Sequence, residues 1–84
     1  MAMKVSKAVN IGIDVGKYVL DVYIYERDIH FQETNDAVGI RKILSRIARY
    51  TVERVVVEAT GRYEREIALA AFEKEIPIVV ANPI

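Results

Sequence analysis

Two apolar runs that each finish on a carboxylate constrain this chain more than anything else in it. The first, "VNIGID" (9–14), alternates: Val9, Ile11 and Ile13 point one way, and Asn10, Gly12 and Asp14 the other. That is the period of a half-buried strand. The second, "RVVVE" (54–58), is a continuous apolar strand closed by Glu58. Burying an unpaired charge is costly, so an acid at the end of each run requires a partner, a ligand or water.

The residues between the two runs fix how they are arranged. Tyr18 to Tyr25 forms a second strand, with Leu20, Val22 and Ile24 on one face and Asp21, Tyr23 and Tyr25 on the other. So short a link after Asp14 implies an antiparallel hairpin. Gly12 and Gly16 mark a close backbone approach or a tight turn around the carboxylate. "ERD" (26–28) turns the chain into a third, more polar strand, Ile29 to Thr34. Asn35 or Asp36 caps a helix that runs to about Tyr50. Ile40, Ile43, Leu44 and Ile47 lie on one face of it, and Lys42, Arg46 and Arg49 on another. "ATGRYE" then leads into a second helix, roughly Arg62 to Lys74, and "PIVVA" (77–81) is a fifth strand. Right-handed crossovers place strands four and five parallel to strand one. The order βββαβαβ therefore predicts an α/β domain with a five-stranded mixed sheet, ordered 3-2-1-4-5.

With 84 residues, positions 1–84 make a single domain. No cysteine is present, which excludes disulfides and thiolate metal sites and fits a reducing, cytoplasmic setting. No apolar run approaches the ~18 residues that span a bilayer, and no secretory segment opens the chain, so no membrane partner is expected. Twelve basic and twelve acidic residues cancel. Any nucleic-acid contact must then come from a local patch.

If strands one and four are parallel neighbours, Asp14 and Glu58 share one edge of the sheet, and strands ~4.8 Å apart let both carboxylates reach one cation. Mg²⁺ takes hard oxygen ligands, commonly one or two carboxylates with water and substrate phosphate. Such ions serve phosphodiester chemistry by activating the attacking oxygen and stabilising the leaving one. The plainer reading stays open: strand-end acids also cap helices or simply face water.

"IGIDVGKYVLDV", "VVVEATGRYE" and "IPIVVANP" together resemble the amino-terminal domain of IS110-type transposases and Piv-type DNA invertases. The similarity runs from Val9 to Pro83. It implies an RNase H-like, RuvC-like fold with a DEDD acid tetrad, in which Asp14 is the first acid and Glu58 the second. In that family two further aspartates follow the "NP" segment, a carboxy-terminal domain supplies a serine nucleophile, and a structured RNA guides target choice. The resemblance thus implies a truncated transposase or site-specific recombinase, incomplete at its C-terminus and inactive as this piece alone. It implies Mg²⁺ or Mn²⁺ as cofactor, DNA as substrate and a structured guide RNA as a further partner.

Lys42, Arg46 and Arg49 are candidates for phosphate contact, or form a solvated helix face. Thr60, at a helix start, either holds an anion or caps the helix. Tyr63 packs over the site or staples the helix. His30 reads as solvated, and Tyr18, Tyr23 and Tyr25 are explained by strand position alone. "IALAAF" (67–72) is apolar nearly all round, which predicts exposed surface and self-association, so a homo-oligomer is expected. Two rival readings remain. Actin-like sugar kinases also open on an "IGIDVG" hairpin that holds ATP phosphates, but "GKYVLDV" is poor in the Gly, Ser and Thr of such a turn. The other is a non-catalytic interaction module.

Overall fold

The alternation of residues 9–15 does produce a strand, and it becomes the centre of the sheet. The computed structural model describes residues 7–59 and 61–81. Its elements are β1 (Val9–Val15), β2 (Val19–Ile24), β3 (Ile29–Thr34), α1 (Ala37–Ile47), β4 (Val52–Ala59), α2 (Arg65–Glu73) and β5 (Ile78–Ala81). The strands form one mixed sheet in the order β3-β2-β1-β4-β5. β1 pairs antiparallel with β2 and parallel with β4, and β5 extends the parallel half.

Strand parity sorts the residues into two faces. Ile11 pairs with Ile24 and Val55, and Ile13 with Val22 and Val57. These side chains are buried against Ile40, Ile43 and Ile47 of α1 and Ile67 of α2, so both helices cover the same face. Burying an aliphatic side chain of this size stabilises by roughly 1.5–3 kcal/mol. The opposite face carries Asp14, Asp21, Tyr23, Val56, Glu58 and Val79, and no helix of the described residues packs on it. Exposed Val56 and Val79 there are unusual, because parallel strands are normally covered on both sides.

Of the two candidate caps, Asp36 takes the role in α1: its Oδ1 accepts from the Gly39 N–H at 2.8 Å and from the Thr34 hydroxyl at 2.8 Å. Several boundaries differ from the sequence reading, for local reasons. α1 ends at Ile47 rather than near Tyr50, the chain turning at residues 48–49. The "ERD" turn is a short 3₁₀ turn, Tyr25–Arg27, closed by a left-handed Asp28. α2 starts at Arg65 rather than Arg62, because Gly61 (φ 78°) and Arg62 (φ 70°) are both left-handed and turn the chain before the helix begins. Gly12 is the close approach expected from the sequence: a Cβ there would strike the Tyr25 ring, which lies over it. Of the apolar run in α2, Ile67 and Ala71 are buried, while Leu69 and Phe72 are 59% and 73% exposed. Among the described residues no helix is long and apolar enough to cross a membrane.

Candidate functional site

Asp14 and Glu58 are direct partners in the parallel β1–β4 register, between the Ile13–Val57 and Val15–Ala59 pairs. Both stand on the open face and both are exposed. Their strands lie ~4.8 Å apart, so two hard oxygen donors rise side by side from the central parallel pair. Parity explains the exposure: with Ile13 and Val57 committed to the core, the next residue on each strand must face outward.

The row does not stop at two. Across the antiparallel pair Asp14 faces Asp21, and Asp21 faces Gln32 on β3. Asp21 is a third acid beside the pair, overlooked from the sequence although it was legible there. Once Gly16 and Val19 are taken as the ends of the turn, joined by a 2.9 Å hydrogen bond, Asp21 falls opposite Asp14. Like charges placed opposite one another destabilise a sheet. Here β3 relieves the repulsion by drawing Asp21 away. The Gln32 amide donates to Asp21 Oδ1 at 2.7 Å, and the His30 Nε2 lies 3.1 Å from the same oxygen, so this nitrogen carries the hydrogen. The Gln32 bond first, and then His30, hold the Asp21 carboxyl below the usual aspartate range. No cluster of three or more metal-ligating side chains occurs among the described residues. The donor set is therefore Asp14 and Glu58, two carboxylates of the kind that hold Mg²⁺ together with water and phosphate.

His30 is exposed as expected, but it is not free. Its ring stacks on Tyr23 at 4.3 Å between centroids, and Tyr23 stacks on Tyr25 at 6.2 Å. One face of Tyr23 is thus taken up by His30. Tyr18 lies outside β2, beside the Lys17 ammonium. The Tyr63 ring folds back over Gly61, which is the closer of its two expected roles to a local staple.

Asn35 proves more important than its sequence role as a candidate cap suggests. Its Nδ2 donates to the Gly16 carbonyl at 2.9 Å and to the Tyr63 carbonyl at 3.0 Å. One side chain thereby ties the turn that follows Asp14 to the loop that follows Glu58. Its only signal in the sequence is an amide, which can donate twice, placed just after β3. Thr60 lies outside the described residues. Lys42 and Arg46 are exposed on α1 and Arg49 in the turn just after it, all in the helix layer, so the sheet separates them from the two acids.

No protein family and no curated protein matches the chain.

Proposed function

We propose that the chain is the amino-terminal part of an RNase H-like, RuvC-like catalytic domain of a transposase or site-specific DNA recombinase. Asp14 and Glu58 hold Mg²⁺ or Mn²⁺ at the outer face of the central parallel strands. The observation that carries this is the register: two carboxylates far apart in sequence are immediate neighbours, exposed, on one face. Both are hard oxygen donors, with room left for water and a substrate phosphate, so the residues fit the ion. When bound, the metal supplies charge stabilisation for phosphodiester cleavage and strand transfer. The chain's own contribution is placement. β1 and β4 fix the two carboxylates, Gln32 and His30 keep Asp21 turned aside, and Asn35 joins the two following loops. DNA is the substrate, and a structured guide RNA is the further partner in this reading.

An actin-like phosphate turn is less well supported. The Gly16 N–H, which a phosphate would need, already donates to the Val19 carbonyl.

Thermal unfolding with and without 10 mM-scale Mg²⁺ or Mn²⁺ tests the proposal. For a millimolar site, occupancy at about tenfold excess stabilises the native state by about 1.4 kcal/mol. That corresponds to an upward shift of about 8 °C for a domain of this size. Asp14→Asn and Glu58→Gln should each abolish the shift. An unchanged metal response in both variants overturns the assignment. ATP stabilisation that ignores both substitutions would instead favour the kinase-like turn.

A further inference from the structure

The balanced net charge hides a strong local segregation. From Ala37 to Val52 the chain carries Arg41, Lys42, Arg46 and Arg49 and no acidic residue at all. All four are exposed, and with Ser45 and Glu33 they line one shallow depression of about 560 Å³ at the β3 side of the helix layer. Twelve acidic residues are present in the chain. Yet the one ion pair among the described residues joins His30 to Asp21, and none of these four cations has a carboxylate oxygen within 4.0 Å.

Arg46 at this surface, and Arg27 outside the depression, instead sit over aromatic rings. The Arg46 guanidinium sits 3.9 Å from the Phe31 centroid. Arg27, from the β2–β3 turn, sits 5.7 Å from the centroid of Tyr50, the residue after Arg49. Stacking fixes the guanidinium plane and leaves its N–H edges free to donate, so less ordering remains when an anion arrives. Grouped like charges also repel one another, a cost that a polyanion offsets.

We propose that this face of α1 binds the phosphodiester backbone of a nucleic acid, at a position separate from Asp14 and Glu58. Guanidinium edges match phosphate oxygens in pairs. Arg41 to Arg46 spans about 7.5 Å along the helix, close to two nucleotide steps of a duplex strand at ~3.4 Å each, and Arg49 extends the row into the turn after α1. The lining contains no apolar side chain. A protein partner normally needs an apolar centre to its interface, whereas a phosphate backbone needs only the cations. Because α1 and the two acids lie on opposite sides of the sheet, the segment held here is not the one presented to the acids.

The test is fluorescence anisotropy of labelled duplex DNA, single-stranded RNA and poly-glutamate against the full chain, in EDTA, from 20 to 200 mM salt. Four contacts predict a slope of log K on log[salt] of about −3.6 for duplex and about −2.8 for a single strand. They also predict at least a thousandfold loss of duplex affinity, by about 10^3.6, between 20 and 200 mM salt. The triple substitution Lys42→Gln, Arg46→Gln, Arg49→Gln should weaken duplex binding at 20 mM salt at least tenfold and cut the slope of what remains to about −0.9. Because Arg46 packs on Phe31, a second variant, Arg41→Gln, Lys42→Gln, Arg49→Gln, keeps that contact and should lose binding similarly. Tight binding that survives both variants overturns the proposal, as does preference for poly-glutamate over both nucleic acids. Stronger binding to the duplex or to the RNA identifies which backbone is held. Because EDTA removes any metal from Asp14 and Glu58, this result and the metal titration fail independently.

Discussion

Replacing Asn35 offers the sharpest check on how this fold positions its two acids. The Asn35 amide donates to the carbonyls of Gly16 and Tyr63, and each such hydrogen bond contributes about 0.5–1.5 kcal/mol net, the lower end where water competes. Asn35→Ala should therefore cost about 1 kcal/mol. With an unfolding entropy of about 2.1 cal/mol/K per residue, a chain of this length loses about 6 °C in Tm for that change. Asn35→Asp is the stricter variant. It keeps the shape but cannot donate, and it turns a carboxylate toward two carbonyl oxygens. Its loss should exceed that of alanine, at about 2 kcal/mol or about 11 °C. Far-ultraviolet circular dichroism during heating measures both, and repeating the melts with Mg²⁺ shows whether the metal shift shrinks when the loops are untied. An Asn35→Asp protein that melts within about 2 °C of the parent would falsify the claim that this side chain joins the two loops.

Ile43→Ala removes a side chain with no exposed surface and should cost about 2–5 kcal/mol by chemical denaturation. Because a domain of this size has about 4–12 kcal/mol in total, a loss under 1 kcal/mol would mean that α1 is not packed as described. Acid should destabilise the chain through Asp21 and Asp36, whose carboxyls are both held low, Asp21 chiefly by Gln32 and Asp36 chiefly by the Gly39 N–H. A depressed folded pKa contributes stability that is present above the unfolded value near 4 and lost as pH falls through the folded one. The Tm gap between the parent and Asp36→Asn should thus be full at pH 6 and narrow as pH falls below about 4; a gap that does not narrow in acid argues against the cap. Leu69 and Phe72 leave apolar surface on α2 uncovered, so the weight-average sedimentation coefficient should rise with concentration and Phe72→Lys should suppress the rise. A parent that sediments as a monomer at every concentration removes the expectation of self-association.

The element order, the strand faces and the pairing of Asp14 with Glu58 were legible before any coordinates. They follow from local periods: alternation says which side of a strand faces inward, and helical spacing with right-handed crossovers leaves one simple sheet order. The sheet order β3-β2-β1-β4-β5 matches that expectation. One choice left open and one boundary placed elsewhere share a physical origin. Asp36 rather than Asn35 became the cap because only its oxygen reaches the Gly39 N–H, a choice of angle that two adjacent capping residues do not reveal. The start of α2 moved because Gly61 and Arg62 adopt left-handed backbones, which propensity alone does not forecast for arginine.

By itself, the sequence determined the layers and the row on which each acid stands, since period and parity are properties of a single strand or helix. Only the tertiary structure decided that Asp21 is held by Gln32 and His30, that Asn35 binds two loops, and that four cations gather with no ion pair among the described residues. These depend on register and on distances between segments remote in the chain, and such distances exist only once the backbone has closed into a sheet with helices on one side.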